Sequence, residues 1–298
     1  MRRAEFRSAL PGTTDRRAGP GDTAAAPVIS LRQARLAYGG RVLWHDLDLD
    51  VGPGEFLAVL GPNGSGKTSL LRVLLGRQRL TGGTLTVLGQ PPRKGDARLG
   101  YVPQHTLQPA HTPLRARDLV RLGLDGHRWG PPLARRGLHR RVAELLDAVG
   151  AGAFADRPIG QLSGGEQQRV RMAQALATDP RILLCDEPLH SLDLRSQRTV
   201  TDLVGERRRS AGTAVVFVTH EINPVLGLVD RVLYLARGGH RVGPPDEVMT
   251  SQALTELYGT RIDVVRAGGR IVVVGAPEEG AGHVHSNGPA EAGGGADP

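Results

Sequence analysis

Residues 61–68 read GPNGSGKT, and this short stretch decides the fold of the chain. An apolar run, FLAVL at 56–60, precedes it, and a helix-like segment, LLRVLLG at 70–76, follows it. Strand, glycine-rich loop and helix in this order are typical of a P-loop, whose backbone N–H groups surround a phosphate chain. Lys67 would then contact the β and γ phosphates, and the Thr68 hydroxyl would face Mg²⁺. The stretch therefore predicts a nucleoside triphosphate site in an α/β fold.

Composition narrows the class of protein further. The chain has 298 residues, a formal net charge of +8 and one cysteine, Cys185. One cysteine allows no internal disulfide, which favours a reducing compartment. No apolar run approaches the roughly 18 residues of a membrane span and no hydrophobic signal core is present, so we expect a chain that is soluble by itself. Because the arginines are spread along the chain, we interpret the charge mostly as a compositional bias and predict no nucleic-acid partner.

The two ends differ from the middle. Residues 1–27 mix Gly, Pro, Arg and Ala without periodicity, which predicts a disordered basic tail, with contact to lipid headgroups as the alternative. Residues 277–298 are rich in Gly and Ala and are predicted to be disordered. His283 and His285 in this tail could contact a metal, although two isolated histidines usually have no such role. Residues 260–276 predict a C-terminal hairpin that turns at a Gly-Gly pair. The main domain therefore spans 28–259.

The first part of that domain has the period of two that strands show. Leu47, Leu49 and Val51 alternate with aspartates, which indicates one buried and one exposed face. Tyr38 ends the preceding strand before a Gly-Gly turn. It is either an ordinary strand aromatic or a platform on which a nucleotide base stacks, and the local pattern leaves both interpretations open.

The middle of the domain changes from strand to helix. The segment LGYVPQ at 99–104 predicts a short strand that ends in Gln104, and 105–177 predicts a helical insertion. A helical stripe within it contains Val142, Leu145, Leu146 and Val149. The arginines at 135, 136, 140 and 141 indicate a solvated face, with a partner-binding patch as the alternative.

The segment LSGGEQQRVRMAQALATDP at 162–180 predicts a capped helix. Ser163 and Glu166 have the spacing of a capping box, and the apolar periodicity predicts a helix that continues to Asp179-Pro180. The two glycines between the cap residues add backbone amides at the positive end of this helix. Such amides could form a second phosphate-binding element.

Two further strands end in polar groups. RILLCDEP at 181–188 predicts a buried parallel strand that presents Asp186 and Glu187 at its carboxyl end, where α/β sheets place their chemistry. Asp186 suits a Mg²⁺ ion and Glu187 suits the activation of water, whereas Cys185 suits core packing. TAVVFVTH at 213–220 ends in His220. A histidine there is, by itself, more often structural.

Together, these motifs resemble the ATP-binding cassette of ABC transporters over residues 28–259. GPNGSGKT resembles Walker A, LSGGE the family signature, ILLCDEP Walker B, and residues 191–193 the D-loop. The departures are small: Cys185 replaces an aliphatic residue, and His190 precedes the D-loop serine. The resemblance implies a P-loop NTPase core with a mostly parallel sheet, an antiparallel β subdomain and an inserted α-helical subdomain.

The resemblance also implies an ATPase that pairs head to tail as a homodimer. Glu187, His220 and Gln104 would be catalytic, Asp193 would lie at the dimer interface, and Mg²⁺ would be held by Thr68, Gln104 and Asp186. The expected ATP contacts within one chain are Tyr38, Gly61, Pro62, Asn63, Gly64, Ser65, Gly66, Lys67, Thr68 and Ser69. The expected contacts from the paired chain are Ser163, Gly164, Gly165 and Glu166.

The segments 219–235 and 243–259 are similar to those of zinc and manganese importers. This similarity implies a cytoplasmic subunit on the inner face of the cell membrane, bound to a permease and served indirectly by an extracytoplasmic metal-binding protein. Chelated iron or another solute is the alternative cargo. A soluble ABC ATPase that acts on ribosomes or DNA is the second class, although the chain has one motif set and no sustained heptads. An inactive scaffold is opposed by the intact Asp186-Glu187 pair and His220.

Overall fold

The computed structural model describes residues 26–104, 112–126, 136–190, 192–236 and 238–275. Nearly all of the predicted tails lies outside these ranges, as do His283, His285, Arg135 and the D-loop residue Ser191. The strands are β1 (Ile29–Tyr38), β2 (Arg41–Val51), β3 (Phe56–Leu60), β4 (Gly82–Val87), β5 (Leu99–Val102), β6 (Ile182–Asp186), β7 (Ala214–Val218), β8 (Arg231–Ala236), β9 (Gly239–Gly243), β10 (Asp263–Ala267) and β11 (Arg270–Val274). The α-helices are α1 (Lys67–Leu74), α2 (Ala116–Asp125), α3 (Arg136–Ala148), α4 (Gly164–Leu176), α5 (Leu194–Ala211), α6 (Pro245–Val248) and α7 (Ser251–Tyr258).

A six-stranded sheet forms the centre of the molecule, with the strand order β5-β6-β7-β3-β8-β9. Its neighbours run parallel except for β9, which pairs antiparallel with β8. Every residue of β3, β6 and β7 is buried, as expected for strands with both faces covered. The sheet confirms the predicted α/β class, and it brings the carboxyl ends of β3, β6 and β7 to one edge.

A separate antiparallel sheet has the order β2-β1-β4. The predicted alternation is confirmed, because Leu47, Leu49 and Val51 are buried while Asp48 is exposed. These apolar side chains share one core with α1 and one face of the central sheet, and Trp44 is fully buried within it. The antiparallel sheet therefore covers the region where the P-loop begins.

A helical segment lies between β5 and β6 and contains α2, α3 and α4. The predicted stripe of α3 is confirmed: Val142, Leu145, Leu146 and Val149 are all buried in the second core of the molecule. The exposed face of α3 is only partly solvated. Arg140 is exposed, whereas Arg141 forms an ion pair of 2.6 Å with Asp179.

Asp179-Pro180 ends this helix as predicted: α4 runs to Leu176, and the two residues after it form a turn. Asp179 adopts a left-handed φ of 51°. Pro180 disfavours the α conformation at the residue before it, so the helix must end earlier. The Asp179 carboxylate instead joins Arg141 and Arg207, with N–O distances of 2.6 and 2.8 Å.

The C-terminal part of the described chain is a hairpin of β10 and β11 that turns at Gly268 and Gly269. Asn223 attaches it to the main domain: its side-chain amide donates to the Ile271 carbonyl at 2.9 Å and accepts from the Ile271 N–H at 2.8 Å. Among the helices described, none combines the length and apolar character that crossing a membrane requires.

Candidate functional site

The loop between β3 and α1 has the shape that residues 61–68 predict. Gly61 has a φ of 138°, and a Cβ on it would lie 2.0 Å from the Leu235 carbonyl oxygen. Gly66 has a φ of 98°, and a Cβ on it would lie 2.9 Å from the Trp44 Nε1 atom. Only glycine satisfies both the backbone angle and the space at these positions. The chain therefore curls tightly before α1 begins.

The start of α1 is suited to an anion. Its first turn has no acidic residue, and no side chain caps its N-terminus. The backbone N–H groups there, together with the positive end of the helix, are a phosphate-binding arrangement. The buried Ser65 Oγ has no hydrogen-bond partner within the described protein, which is consistent with a polar ligand beside the loop.

Lys67 lies over the same loop and is only 6% exposed. Its Nζ atom donates to the carbonyl oxygens of Gly61 at 2.7 Å and Pro62 at 2.9 Å. Burial lowers the pKa of the Lys67 ammonium, and the charges of Glu187 and Asp186 oppose that effect. The side chain is thus held over the glycine-rich loop.

Thr68 connects the loop to β6. Its Oγ1 atom donates to Asp186 Oδ1 at 3.2 Å. Asp186 is 1% exposed, and burial raises the pKa of its carboxyl, while the hydrogen bond from Thr68 lowers it. A hydroxyl and a carboxylate oxygen at hydrogen-bond distance are the ligands that Mg²⁺ prefers, so the residues present fit this ion.

Glu187 lies one residue further on, at the end of β6. Gln104 Nε2 donates to Glu187 Oε2 at 3.2 Å, and His220 Nδ1 lies 3.9 Å from the same oxygen. The Glu187 side chain is 13% exposed and that of His220 is 55% exposed. Three side chains from three separate strand ends therefore meet where the sequence predicts catalytic groups.

Tyr38 lies beside α1, with 48% of its surface exposed. Its hydroxyl donates to Gln78 Oε1 at 2.5 Å and lies 3.4 Å from Ser69 Oγ. An open cleft of about 380 Å³ lies near the loop, lined by Arg41, Val42, Leu43, Pro62, Gly64, Ser65 and Gly238. The exposed ring fits both interpretations of Tyr38 that the sequence left open.

The signature residues form a separate element at the start of α4. The predicted capping box is confirmed: Ser163 N–H donates to Glu166 Oε2 at 2.7 Å, and Glu166 N–H donates to Ser163 Oγ at 3.3 Å. Asp193 caps α5, accepting from the Ser196 N–H at 2.9 Å. Within the described part of a single chain, no hydrogen bond joins Ser163, Gly164, Gly165, Glu166 or Asp193 to the P-loop.

Three neighbours of the site are not predicted by the sequence motifs. Tyr101 on β5 has a raised pKa because it is half-buried and faces the negative charge of Asp186. Gln78 holds the Tyr38 hydroxyl. The His190 ring lies edge-on to His220, with 5.6 Å between ring centroids. Of these three residues, only His190 could have been predicted from the sequence, because it stands three residues after Glu187, next to the predicted catalytic carboxylate.

Comparison with known proteins agrees with this geometry. A family model described as "ABC transporter" matches residues 44–190. The zinc import ATP-binding protein ZnuC of Halorhodospira halophila is 36% identical over 239 residues, covering 79% of this chain and 85% of the relative. The chain belongs to the ABC transporter family. It is an ATP-binding cassette ATPase, as its P-loop, signature helix and carboxylate-bearing strand end predict.

Other ABC proteins resemble this cassette to a similar degree. The spermidine/putrescine import ATP-binding protein PotA 1 of Pseudomonas aeruginosa is 38% identical over 74% of this chain, which spans only 61% of that relative. A transporter described as metal-chelate type, in an inward-facing conformation, has a TM-score of 0.70 at 28% identity, covering 83% of this chain and 96% of its own. A dimeric cassette in a post-hydrolysis state with ADP and Pi has a TM-score of 0.64 at 29% identity, covering 72% of this chain and 98% of its own.

Proposed function

We propose that this cassette is the ATP-hydrolysing subunit of an importer that moves a divalent transition metal, zinc or manganese, through a separate membrane permease. The observation that carries the ATPase part is the meeting of Glu187 with Gln104 and His220 beside the Thr68–Asp186 pair. The cargo rests on similarity to ZnuC and to the transporter of the metal-chelate type.

The hydrolytic step assigns a role to each side chain. The P-loop amides and Lys67 bind the phosphates and bear the charge that develops on them. Glu187 accepts a proton from the attacking water, and Gln104, which already contacts Oε2, orients this carboxylate. His220 holds the γ-phosphate and water in line. The exposed ring of Tyr38 stacks on the adenine.

Mg²⁺ belongs between Thr68, Asp186 and Gln104. Held by these residues, the ion would supply positive charge that offsets the charge of the phosphates. The short distance between Thr68 Oγ1 and Asp186 Oδ1 supports this assignment, because the two oxygens are near enough to bind one ion. Burial of Asp186 also favours a cation there, since a carboxylate in low dielectric is unstable without an opposite charge.

A single chain holds only half of this site. In a head-to-tail homodimer, Ser163, Gly164, Gly165 and Glu166 close over ATP on the P-loop of the partner, and Asp193 lies at the interface. The dimeric cassette with ADP and Pi supports this arrangement as an analogy. So does the absence of any hydrogen bond from these residues to their own P-loop in the described ranges. Closure would exclude bulk water from the phosphates and orient the one water that attacks.

The subunit would act at the inner face of the cell membrane, attached to the permease. An extracytoplasmic metal-binding protein would deliver the cargo to the outer side. A second cargo class, polyamines, is favoured by the 38% identity to the spermidine/putrescine protein. We place it second because the chain covers 85% of ZnuC but only 61% of PotA 1.

Deletion of the gene in its native host tests the cargo. We expect the deletion strain to lose zinc or manganese accumulation, measured by elemental mass spectrometry in metal-limited medium, and the wild-type gene to restore it. The Glu187→Gln gene should fail to restore it, whereas the Glu206→Gln gene, altered on the exposed face of α5, should succeed. Unchanged metal content together with lost putrescine uptake would assign the polyamine class instead.

A further inference from the structure

Two histidines and one carboxylate meet at the edge of the catalytic site. Glu187, His190 and His220 each present a ligand atom, and these atoms lie within 4.8 Å of one another. In the part of the chain that the structure describes, no other group of three His, Cys, Asp or Glu side chains is so arranged. Two imidazoles and one carboxylate form a ligand set that zinc uses in proteins, with a fourth position left open.

Tight turns hold these side chains in place. His190 N–H donates to the Glu187 carbonyl at 3.1 Å, so the chain folds back and returns the His190 ring toward Glu187. His220 lies in a second turn, in which Thr219 Oγ1 donates to the Glu221 carbonyl at 2.8 Å and accepts from the Glu221 N–H at 3.1 Å. The His190 and His220 rings already lie edge-on to each other, with 5.6 Å between their centroids.

The space between the ligands suits one ion. Metal–ligand bonds of about 2.0–2.1 Å in a tetrahedron place ligand atoms about 3.3 Å apart. His220 Nδ1 and Glu187 Oε2 are 3.9 Å apart. A displacement of the exposed ring nitrogens by about 1 Å therefore brings the ligand atoms to the spacing that one ion requires. A small cavity of about 80 Å³ lies among these side chains and gives the ion an entry path and room for a water.

We propose that Glu187, His190 and His220 bind a divalent transition metal ion of the zinc type, and that this ion inhibits ATP hydrolysis. The nearby Thr68–Asp186 pair offers only oxygen, which suits Mg²⁺, whereas imidazole selects zinc-like ions. The oxygen-only site therefore favours Mg²⁺, and the site with two imidazoles favours a zinc-like ion. Gln104, which donates to Glu187 Oε2, orients the carboxylate from outside the metal.

Inhibition follows from the chemistry of Glu187. The positive charge of a bound ion lowers the affinity of the Glu187 carboxylate for the proton of the attacking water, and bound His220 can no longer contact the γ-phosphate. This inhibitory part rests on the proposed roles of Glu187 and His220, whereas binding of the ion does not. In a metal importer, such a site would stop ATP consumption when the imported ion accumulates.

Metal binding is measured first, without ATP, on the full-length protein with Co²⁺ as the probe. We expect one Co²⁺ per chain with the visible absorption of a tetrahedral site, and displacement by Zn²⁺. His190→Ala and His190→Asn should each weaken binding by about tenfold or more. Two control proteins should bind Co²⁺ normally. The first is His45→Ala, which removes a histidine that pairs with Asp46 on β2. The second is the double variant His283→Ala with His285→Ala, which removes the histidines of the C-terminal segment. Equal affinity in the His190 variants and the wild-type protein would overturn the site.

Hydrolysis is measured second, with Mg²⁺ and ATP in excess and free Zn²⁺ set by a zinc-selective chelator. Saturating Zn²⁺ should slow the wild-type protein by about tenfold or more, and His190→Ala should need about tenfold more Zn²⁺ for the same fractional loss, each relative to its own zinc-free rate. Equal zinc sensitivity in both proteins would overturn the inhibitory role. If the wild-type protein hydrolysed no ATP even without zinc, the proposed function would be contradicted. The Co²⁺ measurement would still decide whether the metal site exists.

Discussion

Thr68 Oγ1 donates a hydrogen bond of 3.2 Å to Asp186 Oδ1, and this contact joins residues that are 118 positions apart in the chain. It connects the first turn of α1 to the end of β6, so the phosphate-binding loop and the carboxylate strand share one site. The neighbouring residue, Glu187, faces Gln104 and His220 from two other strand ends.

Replacement of Glu187 by glutamine should lower ATP hydrolysis by about 100- to 10,000-fold, the range that a general base contributes. The amide keeps the shape of the side chain but cannot accept the proton. Phosphate release measures the rate, and size-exclusion chromatography should reveal an ATP-bound dimer that persists. Glu206→Gln is the matched control, because the Glu206 side chain is exposed on α5. A Glu187→Gln protein that hydrolyses ATP at the wild-type rate would show that another group is the base.

Replacement of Lys67 by alanine should remove measurable ATP affinity in calorimetry. The ammonium is held at 2.7–2.9 Å from loop carbonyls, in position for the phosphates. Lys94 is the only other lysine in the chain and is exposed, so Lys94→Ala removes the same charge elsewhere. We expect the control to bind ATP normally. Normal binding by Lys67→Ala would argue against the P-loop as the phosphate site.

Replacement of Asp186 by asparagine should raise the melting temperature of the nucleotide-free, Mg²⁺-free protein while it abolishes ATPase activity. Burial raises the folded-state pKa of this carboxyl above its ordinary value of 3.8. As pH rises through that ordinary value, the unfolded chain loses its proton first, so the folded state is progressively penalised. The gain should therefore be largest near neutral pH and shrink toward pH 4.

Asp202→Asn is the control for this experiment, because Asp202 is exposed on α5. Differential scanning calorimetry at several pH values measures both variants against the wild-type protein. A lower melting temperature for Asp186→Asn at neutral pH would mean that the buried carboxylate stabilises the fold.

Cys185 should not react with a thiol reagent in the native protein. The side chain is fully buried, and both burial and the adjacent Asp186 raise the pKa of its thiol. Thiolate is the reactive form, so both access and ionisation are suppressed. Absorbance after addition of a chromogenic disulfide at pH 8 should stay flat until urea unfolds the chain. Complete labelling within minutes without urea would contradict the buried position.

Ser163 caps α4, and we propose that it also contacts ATP on the paired chain; one substitution separates these two roles. Aspartate is as good an N-cap as serine, so Ser163→Asp should keep the stability that Ser163→Ala loses, about 1 kcal/mol. The added negative charge would face the γ-phosphate of the partner site and should reduce ATPase activity by about tenfold or more. Thr250→Asp alters the N-cap of α7 in the same way and should leave activity unchanged. Full activity in Ser163→Asp would argue against the contact across the dimer.

Local patterns predicted much of this molecule because they depend on neighbours in sequence. The P-loop glycines, the capping box of α4 and the alternation in β2 each follow from one short segment. The stop of α4 before Asp179-Pro180 is local as well. The ion pairs of Asp179 with Arg141 and Arg207 were not predicted, because they join the segment after α4 to two helices that are distant in sequence.

The sequence by itself determined the α/β class and the P-loop, and it predicted which groups contact nucleotide, because glycine spacing and strand-end carboxylates are local features. Only the tertiary structure decided which strand ends meet: Gln104 with Glu187, Thr68 with Asp186, and His190 with His220. The physical reason is that parallel strands from distant segments align their carboxyl ends at one edge of a sheet. That alignment depends on strand order, which no short segment contains.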